Sequence, residues 1–186
     1  MELSFLKWID ATFHSQMWLN YLMSGITWLG EFGAAGIVLA IILLIIPKTR
    51  WAGVAVVIAL AIDFLLVNVI LKYAVNRPRP WQSWEEILTF YQSAGMRKPT
   101  DASFPSGHAA ACFAAAVAII FRYKVKAIPA LVVAALVAIS RIYLCIHFPT
   151  DVIGGIIFGS IFGVAGQFIS KVIENKLKQR KHNNSQ

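Results

Sequence analysis

The chain has 186 residues and a net charge of +8; 58% of its residues are hydrophobic and only 14% are charged. Soluble domains carry roughly 25% charged residues, so this composition excludes an ordinary water-soluble fold. It predicts an all-α, polytopic transmembrane helical bundle, with one domain over 1–174 and a basic tail over 175–186. Lys and Arg gather in short segments between apolar runs and in the tail, not on one face between aromatic side chains. That pattern excludes a nucleic-acid surface and fits membrane orientation and contact with anionic headgroups.

Residues 3–30 alternate Trp8, Phe13, Trp18, Tyr21 and Trp28 with Lys7, Asp10, His14 and Asn20. The pattern predicts one or two interfacial helices with an aromatic belt, His14 being an exposed surface residue. The acids Glu2 and Asp10 argue against a cleavable signal peptide. Glu31, with Gly30, Gly33 and Gly36, marks a kink or entry point. A first crossing follows over about 22–46, since a span needs roughly 20 residues.

The second crossing, 52–74, contains Asp63 near its middle and Lys72 near its end. An acid at that depth needs a partner, and a structural hydrogen bond and a substrate-pocket role are equal readings. The long polar segment 75–104 contains two X-Pro pairs, which are expected to stop a helix. The third, fourth and fifth crossings are placed at 107–121, 127–146 and 151–172, with a basic loop at 122–126. The count is therefore five, or six with a short N-terminal crossing, and the tail is expected to be partly disordered. Cys112 and Cys145 sit inside apolar runs and read as small buried hydrophobes. Gly155, Gly159 and Gly163 recur every four residues, a face for close helix packing within the chain first and for a homodimer second.

Segments 47–50 and 122–126 and the tail fall on one side of these crossings, and all are basic. That side reads as cytoplasmic. Lys72, Arg79, Ser106, His108, Arg141, His147 and Asp151 then gather at the opposite, extracytoplasmic face of a multi-pass cell-membrane protein. Pro149 places His147 at or past a helix end and Asp151 in the first turn of the next helix. The carboxylate is expected to hydrogen-bond one imidazole nitrogen and leave the other free.

The chemistry follows from these groups. Lys72, Arg79 and Arg141 are cations without an obvious acidic excess beside them. Pro105-Ser106-Gly107-His108 opens a helix, so backbone N–H groups and the positive end of the helix dipole meet them. Gly107 lets an oxyanion approach the backbone, and the Ser106 hydroxyl can donate. Together they form a phosphate cradle with two histidines at its rim. A metal on His108, His147 and Asp151 ranks well below direct anion binding, because adjacent cations repel a divalent ion. No cofactor and no metal are expected.

The run from Lys72 to Arg79-Pro80 has the form K-x6-R-P. Pro105-Ser106-Gly107-His108 supplies P-S-G-H, and Ser140-Arg141 to His147 and Asp151 supplies S-R-x5-H-x3-D. In this order and spacing they resemble the three-part signature of the type 2 phosphatidic acid phosphatase (PAP2) superfamily, over about 52–172. The resemblance implies that His147 is the nucleophile that forms a phosphohistidine and that Asp151 orients it. His108 would protonate the leaving oxygen and then activate water. Lys72, Arg79, Ser106, Gly107 and Arg141 would bind the phosphoryl oxygens. With five crossings, the chain is expected to lack an N-terminal helix that many members of the family have.

The membrane composition favours the lipid-phosphatase branch. The expected substrate is a membrane lipid phosphate: a polyprenyl diphosphate such as undecaprenyl diphosphate, slightly ahead of phosphatidate or phosphatidylglycerophosphate. A non-catalytic lipid-phosphate binder or transporter is the competing reading; it would need the cations but not both histidines.

Overall fold

The computed structural model describes residues 1–184. Ten α-helices run in chain order: α1 (Glu2–Phe13), α2 (Met17–Trp28), α3 (Ala34–Ile45), α4 (Arg50–Asp63), α5 (Lys72–Val75), α6 (Pro80–Ser83), α7 (Ile87–Ser93), α8 (Gly107–Tyr123), α9 (Ile128–Tyr143) and α10 (Pro149–Asn183). A π-helical stretch, Phe64–Leu71, joins α4 to α5 without interrupting the rod. No strand occurs among the described residues, and the fold is all-α. By length and composition three helical stretches can cross a membrane: Arg50–Ser83, Gly107–Tyr143 and Pro149–Asn183. The second of these folds back on itself at Lys124, whose φ of 47° turns the chain. Cys112 and Ala116 of α8 then pack against Ala134 and Val137 of α9.

The bundle is built around small residues. Alanines of α8 (Ala109, Ala110, Ala114, Ala115 and Ala118) are buried against α4, α9 and α10. The α10 backbone lies so close to α8 that a Cβ at Gly159 would stand 2.2 Å from the Ala110 carbonyl oxygen. Dispersion attraction across so close an approach holds helices together where lipid removes any hydrophobic drive between them. The glycine face of α10 is thus spent inside the chain. Large aliphatic side chains face outward on α3, α4, α9 and α10, among them Ile41, Val57, Ile139, Ile157 and Ile161. Such a coat is stable in hydrocarbon and costly in water.

At the end opposite the site, Ser170 of α10 donates to the Trp51 carbonyl at 2.7 Å, and Arg122 pairs with Glu174 at 2.6 Å. These contacts gather the basic segments at one end, as the alternation of helices requires. At the other end α1, α6, α7 and the loop 144–148 form a second core around Leu6, Trp84, Ile87, Tyr91 and Leu144.

Four expectations are corrected here. The segment 75–104 does contain helices, α6 and α7, because Pro80 occupies the first turn, where its missing N–H costs nothing. The stretch 22–46, expected to be one crossing, is two helices, α2 and α3, separated at the 29–33 kink. The fifth helix does not end near 172 but runs to Asn183, so the described part of the tail is helical. His14 is not exposed: its ring stacks on Phe90 at 3.7 Å, Nε2 lies 2.7 Å from the Tyr143 carbonyl, and its side chain is 5% exposed. Asp63 is buried, and its Oδ1 has no hydrogen-bond partner among the described residues.

Candidate active site

His147 sits in the five-residue loop between α9 and α10 and is 1% exposed. The loop is held from outside. Cys145 has a left-handed φ of 53°, a conformation costing an L-residue roughly 1–2 kcal/mol. The Tyr91 hydroxyl donates to its carbonyl at 2.7 Å, and Leu6 packs on the same loop. Arg79 Nη1 donates to the Ile146 carbonyl at 3.1 Å and to His147 Nε2 at 3.3 Å. Since a guanidinium only donates, Nε2 carries the lone pair and Nδ1 the proton. Burial first, then the Arg79 and Arg141 cations, holds His147 well below the ordinary histidine value, so the resting imidazole is neutral.

Asp151 stands at the third position of α10 and is fully buried. It does not make the expected hydrogen bond to His147: Oδ2 is 3.7 Å from Nδ1. The carboxylate is already committed. Oδ2 accepts from the Ser103 hydroxyl at 2.5 Å and the Phe148 N–H at 2.9 Å, and Oδ1 accepts from Arg77 Nη1 at 2.6 Å. Arg77 also pairs with Glu2 of α1 at 2.7 Å and lies over the Phe148 ring. At this distance Asp151 makes no hydrogen bond to His147 and instead holds the start of α10 through the Phe148 N–H.

Ser106 caps α8, and its N–H donates to the Asp151 carbonyl oxygen at 3.0 Å. Its hydroxyl is buried without a partner, as is Arg141 Nε, among the described residues. Arg141 Nη1 donates to Thr27 of α2 at 2.6 Å. Lys72 reaches over the first turn of α8: a Cβ at Gly107 would lie 3.5 Å from its Nζ. The charges of Arg141, Lys72 and Arg79 act on His108, and His147 lies within range of it as well. The eight residues singled out from the sequence therefore converge at one end of the bundle.

The cations are not free of acid, contrary to the expectation. Asp101 pairs with Lys72 and, at 2.5 Å, with Arg79 Nη2, while its backbone carbonyl accepts from Arg79 Nε at 2.8 Å. Burial alone would raise its carboxyl, but Arg79 and Lys72 outweigh that and hold it well below the usual carboxylate range. Sequence reasoning also missed Ser103, Arg77, Thr27 and Glu31 as members of the site. Glu31 Oε2 is 3.0 Å from His108 Nε2. One signal was available: a carboxylate amid glycines in an apolar run. No group of three or more His, Cys, Asp or Glu suited to a metal ion occurs among the described residues.

A neutral, buried imidazole beside two guanidinium groups, an uncommitted hydroxyl and a helix N-terminus is a site for an anionic oxygen cluster and its nucleophilic displacement. Fold and site together describe a membrane phosphatase. Residues 50–173 match the family model of the PAP2 superfamily, and the chain belongs to that family.

Among curated relatives, phosphatidylglycerophosphatase B of Bacillus subtilis is 33% identical, the match spanning 88% of this chain and 79% of the relative. The undecaprenyl-diphosphatase of Sulfolobus acidocaldarius is 36% identical over 64% of this chain and 55% of its own. Undecaprenyl-diphosphatase BcrC of B. subtilis is 29% identical over 88% and 81%. The crystal structure of a transmembrane PAP2-type phosphatidylglycerolphosphate phosphatase from B. subtilis superposes with a TM-score of 0.68 at 28% identity, covering 94% of this chain and 85% of that one.

Proposed function

We propose that this protein removes the terminal phosphate of a membrane lipid at the extracytoplasmic face of the cell membrane, through a phosphohistidine on His147. The chain would cross the membrane five times, by α2 with α3, by α4 with α5, and by α8, α9 and α10, with α1 lying over the site. Clustering of the basic segments at the end opposite the site supports this orientation.

The observation that carries the reading is the lone pair of His147 Nε2 facing Arg79, with the buried Ser106 hydroxyl and Arg141 Nε left without partners among the described residues. Buried polar groups without partners are rare, and a phosphoryl group would satisfy both. Nε2 attacks phosphorus and forms the P–N bond as the ester P–O bond breaks. The electron pair stays on the leaving oxygen, which takes a proton from His108. Water then attacks the phosphohistidine, gives its proton to His108 and releases inorganic phosphate, and the P–N electron pair returns to Nε2. Lys72, Arg79, Arg141, Ser106 and the Gly107 amide hold the charge on the non-bridging oxygens. Asp151 stabilises the positive imidazole from 3.7 Å.

The substrate class is a lipid with a terminal phosphate. Undecaprenyl diphosphate and a glycerolipid monoester such as phosphatidylglycerophosphate are both named among the relatives. Phosphate release by the detergent-purified protein from such lipids, with and without EDTA, tests the reading. Release is expected to survive EDTA, to stop with orthovanadate, and to fall about 10⁴-fold or more in His147→Ala. Activity lost to EDTA and restored by zinc would overturn the direct phosphohistidine route.

A further inference from the structure

The break in the first crossing lies against the catalytic end of α8. Trp28 ends α2, Ala34 begins α3, and residues 29–33 run between them. Gly33 has a φ of +70°, which glycine adopts without cost. Gly30 is pressed onto His108: a Cβ there would stand 2.8 Å from the ring Cδ2 and 2.7 Å from Val137 Cγ1. The next residue, Glu31, then meets His108 Nε2 at 3.0 Å. Its side chain is 43% exposed, on the open side of the imidazole. Thr27, one turn earlier, holds Arg141. Both residues precede the segment 50–173 that matches the family.

What His108 must do depends on the leaving group. When a phosphomonoester is cleaved, the bridging oxygen departs from an alkyl carbon as an alkoxide, a strong base that has to be protonated as the P–O bond breaks. His108 must then start as imidazolium, against its burial first and then the charges of Arg141, Lys72 and Arg79, which repel its own. A carboxylate hydrogen-bonded to its ring supplies the compensating negative charge. When a diphosphate is cleaved, the leaving group is a phosphate ester. That oxygen is a weak base and needs little protonation, and the added negative charge would meet Glu31 at close range.

We propose that Glu31 is a positioning residue that holds the proton on His108 for an alkoxide leaving group, and so fits this site to lipid phosphomonoesters ahead of lipid diphosphates. The proposal rests on the phosphatase reading above and narrows its substrate. In the balanced step the Nε2 proton leaves its hydrogen bond to Glu31 and passes to the bridging oxygen as that oxygen takes the P–O electron pair. The neutral His108 left behind is recharged by the water that hydrolyses the phosphohistidine.

The test compares wild type, Glu31→Gln and Glu31→Asp on three substrates in detergent: dioctanoyl phosphatidate, farnesyl diphosphate and p-nitrophenyl phosphate. Wild type is expected to turn over phosphatidate faster than farnesyl diphosphate. Glu31→Gln should lower kcat for phosphatidate about 10–100-fold, the range seen for partners that orient a working group. It should leave KM for phosphatidate and kcat for the other two substrates within about threefold, because their leaving groups need little protonation. Glu31→Asp should recover part of the phosphatidate loss. An equal loss on all three substrates would assign Glu31 a structural role and overturn the proposal. So would an undiminished phosphatidate rate, or a wild type faster on the diphosphate. A wild type that releases phosphate from none of the three, and from none of the longer lipids, would instead defeat the phosphatase reading itself.

Discussion

The two histidines stand in unlike halves of one site. His147 is buried and its surroundings are tightly determined: Arg79 on one side, Asp151 on the other, and a loop pinned by Tyr91 and Leu6. His108 is 19% exposed and its carboxylate partner 43%. The first half has to hold one phosphorus geometry, so burial and rigid hydrogen bonds serve it. In the proposed reaction the second half would meet whatever lipid arrives, and its partner comes from a helix break outside the family segment. A phosphoryl group is the same in every substrate; the leaving group is not. The part of the site that sees the constant feature is closed, and the part that sees the variable feature is open.

The largest effect that sharpens this contrast is expected at Arg79. Arg79→Lys keeps the charge but loses the fork that contacts Nε2, the Ile146 carbonyl and Asp101. Turnover should fall about 10²–10³-fold on monoester and diphosphate alike, as for loss of one preorganised donor. A loss confined to one leaving group would break the division between the halves. Tyr91→Phe removes the hydroxyl that holds the Cys145 carbonyl. It should destabilise the loop by about 1–2 kcal/mol and lower kcat more than it raises KM, again regardless of leaving group. Thermal unfolding and steady-state kinetics would read both.

The smallest effect concerns Asp101, at the exposed edge of the cradle. Its carboxyl is depressed in the folded protein, so its ion pairs contribute stability above the unfolded-state value, near pH 4. That contribution disappears as pH falls through the lower folded value. Asp101→Asn should therefore narrow the loss of stability below about pH 4. It should also tighten inhibition by inorganic phosphate, because the anion no longer competes with a carboxylate for Lys72 and Arg79. Unchanged phosphate inhibition would show that Asp101 and phosphate do not share those cations.

Much of the site was legible because its chemistry needs fixed residue types at fixed separations. Lys72 with Arg79, Ser106 with His108, and Arg141 with His147 and Asp151 each lie close together along the chain, and local spacing is what a linear pattern preserves. The partners were not legible. Asp101, Ser103, Arg77 and Glu31 reach the site from loops or a helix break, and their roles depend on where those segments fold. His14 was misread for the same reason: a lone histidine in an amphipathic stretch looks solvated until Phe90, from another segment, closes over it.

The sequence by itself determined an all-α membrane protein, the side on which its basic segments gather, and which polar side chains gather at the opposite end. Those follow from hydropathy, charge and local spacing, which are properties of short stretches. Tertiary structure alone decided that the Asp151 carboxylate accepts hydrogen bonds from Ser103 and Arg77 rather than from His147. It also decided that Asp101 pairs with two of the cations and that Glu31 meets His108. A carboxylate bonds to whichever donor packing brings within about 3 Å, and across 22–77 residues of chain only the folded bundle sets that distance.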